Sequence, residues 1–126
     1  MMQYIANGLC KNRTIVTLVL TDTKINNDGL KHLADALSVN KKITKLDISR
    51  NKFDGNGIKH LADALCVNET ITELDMSSNS YKKVGLELAA ALCVNKAMTR
   101  LNIAYCGVQD EDVKHLTDAL YTNEVN

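Results

Sequence analysis

The sequence predicts an α/β solenoid, a right-handed βα superhelix with parallel strands on a concave face and helices on a convex face. Three observations carry this. A strand-like phrase recurs at a near-constant interval, a helix-like phrase recurs in step with it, and aromatic residues are only 4% of the chain. A core of small stacked layers filled by Leu, Ile and Ala needs less aromatic bulk than one large globular core.

The strand phrase runs Ile43-Thr44-Lys45-Leu46-Asp47-Ile48-Ser49-Arg50-Asn51-Lys52-Phe53. It returns later as Ile71 to Tyr81, and it stands at the same interval earlier as Ile15 to Ile25. A fourth copy follows at an interval one position shorter, marked by Met98, Leu101, Ile103, Cys106 and Val108. Each copy reads apolar-x-x-Leu-x-apolar-x-x-(Asn, Cys or Thr)-x-apolar. The alternation at its centre puts two side chains inward and their neighbours outward, as in a short strand. Strands are expected near 17–20, 45–48, 73–76 and 100–103.

The helix phrase, Gly29 to Leu37, returns as Gly57 to Leu65 and as Asp112 to Leu120. The copy from Gly85 to Leu92 is one residue short, with the gap near Glu87. Leu30, Leu33, Ala34 and Leu37 fall at i, i+3, i+4 and i+7 and share one helix face. Lys31 and Asp35, Lys59 and Asp63, and Lys114 and Asp118 are spaced for i, i+4 pairing on the outer face. Helices are expected near 2–10, 28–38, 56–66, 83–93 and 110–121. Asn12, Asn40, Asn68, Asn95 and Asn123 each follow a helix, which suggests left-handed helix ends, since Asn tolerates that conformation.

One such unit cannot bury its apolar face alone, so the units must stack. Strands lie about 4.8 Å apart and helices about 10 Å apart. The mismatch bends the stack with the strands inside. Residues 1–126 then form one repeat domain: a partial repeat at 1–12, then repeats at about 13–40, 41–68, 69–95 and 96–123.

With these phrases in hand, the chain resembles the ribonuclease-inhibitor-like class of leucine-rich repeats. Ile71-Thr72-Glu73-Leu74-Asp75-Met76-Ser77-Ser78-Asn79 and Leu61-Ala62-Asp63-Ala64-Leu65 are similar to phrases in NOD-like receptors. The resemblance implies that Asn51, Asn79 and Cys106 form an inner column satisfying backbone groups of the ascending loops. Thr23 departs from the usual Asn or Cys there, although a hydroxyl can serve. It also implies an intracellular protein that uses its concave face for protein partners. The family includes Ran GTPase-activating proteins and tropomodulin-type actin regulators, so membership does not select a partner. The alternatives to a protein-binding module are a GTPase-activating protein of the Ran type and a structural or regulatory segment, cytoskeletal or autoinhibitory, of a larger solenoid.

Lys plus Arg and Asp plus Glu are both 15, so the formal charge is zero. A nucleic-acid-binding surface normally carries a basic excess, and none is expected here. No stretch reaches the roughly 18 apolar residues of a membrane helix, and Met1 to Cys10 lacks the pattern of a signal peptide. A cytoplasmic location is therefore expected, with the sequons at Asn12 and Asn68 unused. Cys10, Cys66 and Cys93 share one repeat column and should be too far apart for disulfides. They are expected to be free thiols packed between helices. His32, His60 and His115 share a column on the outer helix face that the third repeat does not complete, so no metal site is expected. No nucleophile-elbow, phosphate-loop, dinucleotide or zinc-protease motif is present. Asp47 and Asp75 stand side by side rather than across a substrate, unlike glycosidase carboxylates. The chain is expected to be neither an enzyme nor a cofactor binder.

The concave face is the candidate site. Its outward strand residues are Thr17, Val19 and Thr21; Lys45, Asp47 and Ser49; Glu73, Asp75 and Ser77; Arg100, Asn102 and Ala104. Across repeats, Thr17, Lys45, Glu73 and Arg100 form a column in which opposite charges support one another. Val19, Asp47, Asp75 and Asn102 form a second column, where two like charges meet. Lys45, Arg100 or a basic partner group would offset them. Asp22, Arg50, Ser78 and Tyr105 form a third column at the strand ends, and Arg and Tyr are enriched in binding hot spots. Lys45, Asp47, Arg50, Glu73, Asp75, Arg100, Asn102 and Tyr105 are the predicted contacts for a protein partner.

The phrases leave the first helix without its own strand and stop where a fifth strand would start. Stacked repeats need polar caps, and exposed strand edges invite pairing. The expectation is a longer parent solenoid, or self-association through the uncapped ends.

Overall fold

The computed structural model describes residues 1–79, 85–107 and 109–125. Among the described residues five helices alternate with four strands: α1 (Met2–Lys11), β1 (Thr17–Val19), α2 (Asn27–Leu37), β2 (Lys45–Asp47), α3 (Gly55–Val67), β3 (Glu73–Asp75), α4 (Gly85–Val94), β4 (Arg100–Asn102) and α5 (Asp110–Val125). The strands form one parallel sheet in the order β1-β2-β3-β4. Each βα unit therefore lies beside the next, as the repeat demands. Tyr81, Val108, Asn126 and residues 83–84 of the fourth expected helix lie outside the described residues.

Register follows the repeat period. Thr17 pairs with Lys45, Lys45 with Glu73, and Glu73 with Arg100; Leu18, Leu46, Leu74 and Leu101 align one step on. Each strand is one residue shorter than expected, yet the ladder runs further. The amides of Leu20, Ile48 and Met76 donate to the carbonyls of Asp47, Asp75 and Asn102. Those of Asp22, Arg50 and Ser78 donate to Ser49, Ser77 and Ala104.

The core is the seam between sheet and helices. Leu46, Ile48, Leu74 and Met76 from the strand phrases meet Leu30, Leu33, Leu37, Ile58, Leu61 and Leu65 from α2 and α3, all nearly or wholly buried. Leu18 and Leu101, on the outermost strands, and Ile103 just beyond β4 are half-buried. Gly57 is required by packing: a Cβ there would stand 2.6 Å from Asn27 Oδ1. That oxygen instead accepts from the amides of Asp54 and Gly57, and Asn27 Nδ2 donates to Asp54. The N-terminal ends of α2 and α3 are interlocked in this way.

Three side-chain expectations need correction. First, Asn12 and Asn68 close their helices with extended backbone, at φ −72°, ψ 136° and φ −75°, ψ 129°, not left-handed. Asn123 ends no helix at all, because α5 runs on to Val125. The buried members of the column serve as cross-repeat ties. Asn40, Asn68 and Asn95 each donate through Nδ2 to a carbonyl of the preceding helix end, Leu9, Leu37 and Leu65 respectively. Their Oδ1 atoms accept the amides of Ile43, Ile71 and Met98 at the next strand phrase. Buried Asn68 has both amide atoms engaged, so its sequon is occluded. Second, Cys66 is exposed rather than packed between helices, while Cys10 and Cys93 are half-buried; all four cysteines are free thiols. The column sits at the helix end, where neighbouring helices no longer cover it. Third, Lys31 with Asp35 and Lys59 with Asp63 do not close to ion pairs. Among the described residues Lys45 pairs with Glu73, and His115 Nε2 lies 3.8 Å from Glu111 Oε1. Solvated lysines gain too little at the surface to be held in one geometry.

Candidate functional site

The inner column of the ascending loops is built as the resemblance implied. Asn51 Nδ2 donates to the carbonyls of Leu20, Ile48 and Ser49, and its Oδ1 accepts the amides of Thr23 and Ile25. Asn79 repeats the pattern toward Ile48, Met76 and Ser77. Cys106 donates its thiol to the carbonyls of Met76 and Ala104, and the Thr23 hydroxyl donates to that of Leu20. This column fixes the loop that carries the exposed rim.

The rim has an unusual backbone. Asp22, Arg50, Ser78 and Tyr105 all lie in the left-handed region, at φ 53°, 56°, 56° and 57°. Lys24 joins them at 61°. Side chains other than Gly, Asn and Asp cost free energy there, on the order of 1 kcal/mol. Tyr105 is 88% exposed, so its ring recovers little of that cost inside the molecule. The sequence alone does not betray this strain, because Arg, Ser and Tyr are not left-handed turn markers.

Beside the rim, the strands line an open groove of about 610 Å³, walled by Lys45, Asp47, Glu73, Asp75, Arg100 and Asn102 among others. The first column acts partly as expected: Lys45 Nζ lies 3.8 Å from Glu73 Oε1. The second column is stabilised differently. Asp47 Oδ1 accepts the Ser49 amide at 2.9 Å and the Ser49 hydroxyl at 2.6 Å. Asp75 does the same with Ser77, at 3.0 and 2.7 Å. Asn102 Oδ1 accepts the Ala104 amide, and its Nδ2 donates to Asp75 Oδ2. The two carboxylates are thus held by the turns that follow them rather than by Lys45 or Arg100. Ser49, expected to face outward, is only 7% exposed for the same reason. Both carboxylates still border the groove, and Val19 stands there 61% exposed.

Burial pushes the Asp47 carboxyl up, but the Ser49 hydroxyl and amide, the Thr21 hydroxyl and the charge of Arg50 outweigh it. The net pKa falls below the ordinary 3.8. A carboxyl whose folded pKa is depressed adds stability above its unfolded value and loses it as pH falls through the folded one. The difference in melting temperature between the native chain and Asp47→Asn should therefore be largest near neutral pH. It should close as pH drops below 3.8. A constant difference from neutral to strongly acidic pH would contradict the charge-assisted turn.

A stack of parallel strands and outer helices, tied by asparagine columns at both ends of the strands, defines a leucine-rich repeat protein. The leucine-rich repeat family matches residues 11–34, 39–62, 67–87 and 94–116, and the chain belongs to it. Comparison with curated protein sequences finds no significant match. Among solved structures, actin-binding site 2 of leiomodin-1 superposes with TM-score 0.85 at 24% identity, over 98% of this chain and 72% of that one. The tropomodulin C-terminal domain of Caenorhabditis elegans gives 0.63 at 13% identity, over 98% and 93%. These likenesses are of fold. No helix among the described residues is long and apolar enough to cross a membrane.

Proposed function

We propose that this chain is a non-enzymatic, cytoplasmic protein-binding module that seats its partner in the concave groove and against the left-handed rim. The observation behind this reading is a rim that holds Arg50 and a solvent-facing Tyr105 in a costly backbone conformation beside an open polar groove. Arg and Tyr supply planar, rigid contact area, and buried anchors of this kind dominate interface energetics. The polar side chains of Asp47, Asp75, Glu73, Arg100 and Asn102 that line the groove would set orientation and register. Actin is the first partner to assay, because the leiomodin domain of the same fold carries the name of an actin-binding site.

Two variants separate binding from folding. Asp47→Asn with Asp75→Asn keeps the oxygen that accepts from Ser49 and Ser77, and Asn102 already makes that turn in the fourth repeat. Tyr105→Gly removes the ring and relieves the positive φ. Both proteins should remain folded by circular dichroism and lose roughly tenfold or more in affinity for a captured partner. Lys59→Ala, on the convex face, should bind as the native chain does. Sedimentation with actin, together with capture from lysate, reads the effect. Equal losses at all three sites would place the partner elsewhere.

A further inference from the structure

We propose that the opposite edge of the solenoid, where helices descend into strands, is a second docking surface for an acidic amphipathic helix. It goes beyond the concave-face reading and stands on different residues. Val39, Val67 and Val94 occupy one repeat column there and are 53%, 54% and 55% exposed. Single exposed valines need no explanation, but three in register form a stripe. Stacked helices lie about 10 Å apart, so the valines follow one another at roughly that spacing. Seven residues of an α-helix rise about 10.5 Å, so a helix laid across the edge would bring apolar side chains spaced seven apart onto successive valines.

Charge decides the partner's chemistry. The same loops carry exposed Lys11, Arg13, Lys41, Lys42 and Lys96 against one carboxylate, Glu69. Although the whole chain is formally neutral, this edge is basic. None of the five cations is in an ion pair among the described residues. The helix-end carbonyls of Leu9, Leu37 and Leu65, which would otherwise attract lysines, are already taken by Asn40, Asn68 and Asn95. Only Arg13 spends its charge locally, on the carbonyls of Cys10 and Asn12. A cleft of about 250 Å³ opens between the ends of α3 and α4, lined by Cys66, Glu69, Val94, Lys96 and Ala97 among others. It has room for a partner side chain. A lipid surface needs no such cleft, and interfacial anchors favour Trp, Phe and Leu over Val.

The probe is a synthetic helix of about 21 residues, with leucines at three positions seven apart and glutamates beside them. Its fluorescence anisotropy against the full chain should report saturable binding that weakens as salt rises. Val67→Ser should weaken it about tenfold, by removing a buried apolar contact. Lys41→Glu with Lys42→Glu should weaken it at least as much. Asp47→Asn with Asp75→Asn should leave it unchanged, which separates this surface from the concave one. Absence of binding at about 100 µM would overturn the proposal. Equal binding of a lysine-bearing version of the helix would overturn it as well. So would phosphatidylserine vesicles that retain the native chain but release both edge variants while the helix fails to bind, since the edge would then be a membrane surface.

Discussion

Leu46→Ala should lower stability by about 2–5 kcal/mol. Leu46 is 2% exposed and lies on β2, with a neighbouring strand on each side. Removing most of its side chain takes apolar area out of the seam between sheet and helices. It also leaves a cavity that the layers above and below cannot fill without breaking the strand register. Leu74→Ala on β3 occupies the equivalent place and should behave alike. Leu18→Ala on the outermost strand should cost less, because Leu18 is already partly exposed. For a chain of this size each kcal/mol moves the melting temperature by roughly 4 °C. Thermal unfolding followed by circular dichroism checks the ranking. A Leu46→Ala protein melting at the native temperature would remove this residue from the core.

Asn68→Ala should cost about 2–4 kcal/mol, although the residue is small, polar and outside every strand. Its amide nitrogen donates to the Leu37 carbonyl at 2.9 Å, and its oxygen accepts the amides of Thr70 and Ile71 at 2.9 Å each. Asn68 is 2% exposed and Ile71 is fully buried, so water cannot replace these partners. Asn68→Gly decides between two roles. A left-handed helix end would accept glycine with little loss, whereas the observed extended backbone gains nothing from it. Glycine should therefore be at least as damaging as alanine. Asn68→Asp should be damaging too, because it puts a carboxylate oxygen against the Leu37 carbonyl. Urea unfolding of the three proteins gives the order, and a native-like Asn68→Gly would return the residue to the left-handed role.

The architecture was legible because a solenoid writes its fold locally. The spacing between Leu18, Leu46, Leu74 and Leu101 is also their pairing register, since each repeat meets only its neighbours. The concave columns Thr17-Lys45-Glu73-Arg100 and Val19-Asp47-Asp75-Asn102 came from the same arithmetic. What each column does was not legible. Asn12, Asn40, Asn68 and Asn95 look in sequence like helix ends, and only three dimensions bring Asn68 Nδ2 to the carbonyl of Leu37, far back along the chain.

The turn chemistry of Asp47 and Asp75, with Ser49 folded inward, depends on how the chain leaves the strand. A two-residue spacing of Asp and Ser does not announce it. Arg50 and Tyr105 take positive φ just before an asparagine and a cysteine that bond to loop carbonyls, a setting their own residue types do not announce. Periodicity by itself determined which residues share a layer and which face the residues of the short strands occupy, though not that of Ser49 beyond the strand end. Tertiary structure decided which polar groups satisfy one another and which remain outward for a partner, because a buried donor takes the nearest acceptor in space, whatever its distance along the chain.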